Sequence, residues 1–142
     1  MQDGRIIVLT KLSKEFPGLA YSWNTVRAES LNDPQLSAAF QTLTEASIRA
    51  VRYIIANPDE AAEILHEHIP ELDTDYLKTV VRDLNNENLW GVDGGLDPKI
   101  EQFTADLNVK LGNLTSASPP SEVYDPRFVE AALKKLGPYE KK

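Results

Sequence analysis

The chain has 142 residues, 42% of them apolar, which is one domain's worth and enough to bury a core. Its net charge of −7 and the lack of an evident basic patch argue against a nucleic acid or an anionic membrane as a partner. Without cysteine it has neither disulfides nor thiolate chemistry, and no stretch reaches the roughly 18 apolar residues of a membrane span. The opening MQDGRIIVLTKL lacks the basic, apolar, small order of a secretion signal.

Gly4 to Leu12 holds the β-branched run Ile6-Ile7-Val8 and predicts a first strand. Pro17-Gly18 predicts a turn. Ala20 to Arg27 (AYSWNTVR), rich in aromatic and β-branched residues, predicts a second strand. After Asn32 the strand signal ends and the remainder reads as helix.

The stretch Asp33 to His68 organises the chain. Leu36, Phe40, Leu43, Ser47, Ala50, Val51 and Ile54 recur at three- and four-residue steps, which predicts a long helix with these residues on its apolar face. Pro58 disfavours helical geometry at Asn57 and then suits the first position of a second helix. Asn57 with Glu60 three residues on predicts a reciprocal capping arrangement. Asp73 caps a third helix whose apolar face is Tyr76, Leu77, Val80, Val81 and Leu84. A glycine-rich loop carrying Trp90 follows. Asp97-Pro98 opens a fourth helix with Ile100, Phe103, Leu107 and Leu111 in step. GNLTSASPPSE reads as a mobile low-complexity loop, and Asp125-Pro126 opens a last helix that Gly137-Pro138 stops.

The chemistry-bearing candidates are few. Tyr21, Ser22, Trp23 and Asn24 combine flat apolar rings with hydrogen-bonding groups, which suits a small anionic or amide ligand, although an aromatic strand also packs readily under a helix. His66-Glu67-His68 invites a metal reading. A spacing of two turns the imidazoles about 200° apart on a helix, and the chain has no third histidine, so no metal is expected. Seven acids between Asp59 and Asp75, with no Lys or Arg among them, read as a solvated face favoured by helix N-termini, with a cation site or a basic partner as the alternative. No nucleophile elbow, phosphate loop or dinucleotide fingerprint is present, so neither enzyme activity nor a cofactor is expected. Asn113-Leu114-Thr115 matches a glycosylation sequon.

The segment SIRAVRYIIANPDEAAEILHEHIPELDTDYLKTVVRDLNNENLW, with its Asn57-Pro58-Asp59-Glu60-Ala61-Ala62 elbow, and the closing DPRFVEAALKKLG resemble the C-terminal region of the substrate-binding proteins of ABC importers for nitrate, sulfonates, taurine and thiamine-pyrimidine precursors. The opening DGRIIVLTKLSKEFPGLAYSWNTVRAESL is similar to that family's return strand between lobes. The resemblance implies a mainly α chain with two N-terminal β-strands, an α/β piece of a type II periplasmic-binding-protein clamshell. Residues 1–142 would form a single partial domain, with 1–32 as hinge and return strands and 33–142 as the helical part of the first lobe. It further implies a small-molecule solute and an ABC permease as partners of the parent protein, a periplasmic or lipid-anchored location, and Tyr21 to Asn24 at the mouth of the cleft. By itself a chain of this length is expected to bind solute weakly or not at all. The alternative is a non-enzymatic interaction module that self-associates through exposed helix faces as a homo-oligomer. A catalytic relative in pyrimidine synthesis is a third possibility, resting on kinship alone.

Overall fold

In the computed structural model, which describes residues 9–16, 22–95 and 97–140, the longest element is the helix α2, Pro34–Ala56. Asp33 starts it: its carboxylate accepts the backbone N–H groups of Gln35 (2.8 Å) and Leu36 (3.2 Å), and Pro34 takes the first helical position. The other helices are α1 (Leu12–Glu15), α3 (Pro58–His68), α4 (Thr74–Asn86), α5 (Pro98–Lys110), α6 (Pro120–Val123) and α7 (Arg127–Leu136), with a 3₁₀ helix over Ala28–Asn32.

The described residues contain no strand, so the α/β expectation is corrected: they are helical. Residues 1–8, 17–21, 96, 141 and 142 lie outside the description, including Ile6-Ile7-Val8 of the first expected strand. Its last residue, Leu12, begins α1 instead. Residues 22–27 of the second expected strand form no strand and pair with nothing in a ladder. Val26 is 46% exposed there, and a strand without a hydrogen-bonded neighbour is not a sheet. The β-branched composition that suggests a strand sets a local preference only, and the partner has to come from elsewhere. The clamshell architecture implied by the resemblance falls with the sheet.

The chain divides into two compact units. The first, 1–23 with 97–123, contains α1, α5 and α6. Asp97 caps α5 by accepting the N–H of Lys99 at 2.8 Å, but no residue of α5 is fully buried, and Phe103 and Leu111 stand exposed. The stretch expected as a mobile loop contains the short helix α6.

The second unit, 24–96 with 124–142, is built on α2. α3 folds back from Asn57-Pro58 and packs beside α4, while α7 packs along α2. Ala62, Leu77 and Val81 are buried together, with Ile54, Ala61 and Leu65 around them. Across the α3–α4 seam, Lys78 reaches Glu63 at 2.9 Å and Arg82 reaches Asp59 at 2.7 Å. The acidic run is therefore partly matched by bases that lie later in the chain.

Two local expectations are corrected. Asn57 does not cap α3; its Nδ2 donates to the Tyr53 carbonyl at 3.2 Å, back into α2. Glu60 accepts instead from the Tyr53 hydroxyl, and that bond raises the phenol above its ordinary pKa. The inward face of α2 also differs. Ile48 is its fully buried residue, whereas Leu36, Leu43 and Ala50 of the expected apolar face are exposed. Phe40, Ser47, Val51 and Ile54 of that face are half-buried, so the inward side is turned about the helix axis from the expected one toward Ile48.

Candidate functional site

Of the expected ligand segment, Tyr21 lies outside the described residues. Ser22 and Asn24 are exposed and Trp23 is half-buried. Ser22 and Trp23 go with the first unit and Asn24 with the second. None of these three lines the groove between α2 and α7.

That groove is shallow, about 430 Å³, between the N-terminal halves of α2 and α7, and is lined by Pro34, Ser37, Ala38, Gln41, Arg127 and Phe128, with Ala131. Phe40 and Phe128 meet edge to face behind it, centroids 6.2 Å apart. The Gln41 amide donates to the Phe128 carbonyl at 3.2 Å, which fixes α7 against α2. Arg127 lies over the Phe128 ring at 5.0 Å and bonds the Asp125 carboxylate at 2.7 Å. Asp125 also accepts the Arg127 backbone N–H at 3.1 Å, so one side chain both starts α7 and neutralises its first residue. The groove thus offers a ring, an amide, the Ser37 hydroxyl and a guanidinium already paired with a carboxylate. Such a set can hold a small flat or polar group, but it contains no nucleophile and base. The Asp-Pro-Arg-Phe run is visible in the sequence; that it faces Ser37 and Gln41 across the groove is not.

A second cluster surrounds Arg52. Its Nε donates to the Val92 carbonyl (3.0 Å), and its guanidinium reaches the Asp93 carboxylate (2.6 Å) and the Gly137 carbonyl (2.7 Å). The Tyr139 ring lies 5.9 Å from the guanidinium carbon. Nearby, Trp90 donates to Asn85 at 2.6 Å, and Asn85 donates to the Ile54 carbonyl at 3.1 Å. Three donor contacts consume this arginine, so the cluster ties a loop and the tail to α2 and leaves no charge for a ligand.

The His66 ring faces the Leu72 carbonyl with Nδ1 at 2.8 Å, while His68 is exposed. Among the described residues, no group of three His, Asp or Glu side chains is arranged to hold a metal ion. Glu101 on α5 has one carboxylate oxygen out of solvent without a hydrogen-bond partner, and burial pushes its pKa up. It is the least comfortable acid described. No protein-family model, curated protein or solved structure matches the chain.

Proposed function

We propose that this chain acts on the solute-capture side of an ABC importer for small anionic or nitrogen- and sulfur-containing solutes. The support is the resemblance of Ser47–Trp90 and Asp125–Gly137 to that family's C-terminal region. The observation that carries it is the elbow: α2 stops at Ala56, α3 starts at Pro58, and α7 packs back along α2. The reading concerns role and does not retain the two-lobed clamshell. Saturation-transfer NMR with taurine, ethanesulfonate and an aminopyrimidine tests it, because that method reads weak complexes. Weak saturable transfer to at least one of the three is expected; no transfer to any would overturn a solute-binding role for this chain on its own.

A second reading is a non-enzymatic module that self-associates. The observation in its favour is the balance of burial. The fully buried apolar residues among those described are Ile48, Ala62, Leu77, Val81 and Ala132, while Leu36, Leu43, Phe103, Leu111 and Val123 are exposed. Apolar helix surface left in water favours association. Sedimentation over a range of concentrations tests this, and a monomer at every concentration would exclude it.

A further inference from the structure

We infer that the outer face of α2 is a homodimer seam on which a second copy of this chain lies antiparallel, an inference that rests on the self-association reading. Leu36, Ala39, Leu43, Ala46, Ala50 and Tyr53 alternate at three- and four-residue steps along the helix, and all six are exposed. Leu36 is 42%, Leu43 53% and Tyr53 38% accessible. At about 100° per residue they occupy an arc of roughly 100° on the side opposite the buried Ile48. A spacing that averages about 3.5 residues is the period at which two helices wind around each other with side chains interlocked.

The order of sizes along the seam selects the partner and its direction. In an antiparallel pair, Leu43 meets the partner's Ala46 and, by symmetry, Ala46 meets the partner's Leu43. Leu36 meets the partner's Tyr53 at each end. Ala39 meets the partner's Ala50, and the two methyls let the backbones approach closely. A two-fold pairing needs a patch complementary to its own reversal, and the central Leu43 and Ala46 layers have that property. In a parallel pair Leu43 would meet Leu43 and Ala46 would meet Ala46, so no layer would match a large residue with a small one, whereas the antiparallel pair does so at its two central layers.

Charge points the same way. The chain carries −7, but α2 holds one acid, Glu45, against two bases, Arg49 and Arg52. Glu45 is occupied by Lys135 at 2.6 Å and Arg52 by its own acceptors. The helix α2 therefore brings no acid of its own to the seam, and the nearest acid described there is Glu60 of α3, bonded to the Tyr53 hydroxyl at the seam's end. Antiparallel packing also sets the two copies of Arg49 about nine residues, or about 13 Å, apart along the axis. That exceeds the screening length of about 8 Å at physiological salt, whereas parallel packing would place them level. The seam is small, so the dimer is expected to be concentration-dependent.

The absence of native cysteine makes a direct test possible. Ala39→Cys and Ala50→Cys chains, separately tagged, are mixed and oxidised, with sedimentation of the unmodified chain run alongside. The expected results are a sedimenting mass that doubles with concentration, a disulfide between the two different variants, and little product from either variant alone. Leu43→Lys should abolish both signals while leaving the helical circular dichroism unchanged. A dimer whose disulfides form within one variant would overturn the antiparallel seam while leaving self-association standing. A dimer that survives Leu43→Lys would also overturn the seam. A monomer throughout would overturn both.

Discussion

The Arg52 guanidinium bonds the same Asp93 oxygen, at 2.6 Å, that accepts the backbone N–H of Tyr139 at 3.0 Å. One carboxylate thus joins the C-terminal part of α2 to the last described residues of the chain, and Arg52 adds the carbonyls of Val92 and Gly137 to the same knot. Three remote segments converge on a side chain that is 17% exposed.

Replacing Arg52 should therefore be costly. Arg52→Ala leaves the Val92 and Gly137 carbonyls without this donor and Asp93 without its cation. A loss of about 2 kcal/mol is expected, at the lower end for a charged hydrogen-bond hub because Asp93 is 39% exposed. Arg52→Lys should recover part of it, since an ammonium keeps the charge but not the planar fork. Asp93→Asn, which retains an acceptor oxygen for Tyr139, should cost least. Urea unfolding of the three variants reads the order, and an Arg52→Ala midpoint equal to the unmodified chain's would refute the knot.

Gly94 is constrained in two ways where Gly112 is constrained in one. Both have positive φ, 90° and 77°. A Cβ at Gly94 would fall 2.6 Å from Val129 Cγ1 on α7, while one at Gly112 meets nothing within 4 Å. Gly112→Ala should cost about 1 kcal/mol, from the left-handed conformation alone. Gly94→Ala should cost clearly more, because Val129 belongs to a packed helix. In a double-mutant cycle, Val129→Ala should relieve part of the Gly94→Ala loss. Strict additivity would show that the steric contact is not felt.

Two carboxyls should move stability in opposite directions with pH. The Lys135 ammonium bonded to Glu45 is the main reason that its carboxyl lies below the ordinary value of 4.5, against a smaller opposing effect of burial. A depressed folded-state pKa stabilises the protein above the unfolded value, and this contribution is lost as pH falls through the depressed one. Glu101 is the reverse case. Burial raises its carboxyl above 4.5, so its contribution is most favourable in acid and declines as pH rises from 4.5 through the raised value. At neutral pH, Glu101→Gln should raise the urea midpoint and Glu45→Gln should lower it. Below pH 4 both differences should shrink. Changes of the same sign at neutral pH would contradict the assignment.

Legibility in the sequence follows the range of the interactions. Asp33, Asp73 and Asp97 each bond N–H groups two or three residues ahead, so their caps can be read from the sequence. Asn57 shows the limit of that method, because Tyr53 supplies a competing carbonyl to Asn57 and a competing hydroxyl to Glu60. Arg52 reaches acceptors 40, 41 and 85 residues away, so no local pattern marks it. The α2–α7 groove is equally hidden, since Gln41 and Phe128 are 87 residues apart. The second expected strand fails in its described residues 22–27 for a related reason: β-branched residues express a preference, but a sheet needs a distant partner.

The opposite faces of α2 supply the sharpest comparison between sequence pattern and structure. Ile48 is 2% exposed and Leu43 is 53% exposed, although both are branched aliphatic residues on the same helix five positions apart. Ile48→Ala removes packed side-chain volume and leaves a cavity, which should cost about 2–4 kcal/mol. Leu43→Ala in dilute, monomeric solution removes a side chain already largely in water, and its effect should stay within about 0.5 kcal/mol. Raising the protein concentration should separate the two variants further. The unmodified chain gains stability from mass action if the outer face pairs, while Leu43→Ala loses that gain and Ile48→Ala keeps it. Chemical denaturation at two concentrations makes the comparison. If Leu43→Ala matched Ile48→Ala in dilute solution, the inward and outward faces of α2 would be wrongly assigned.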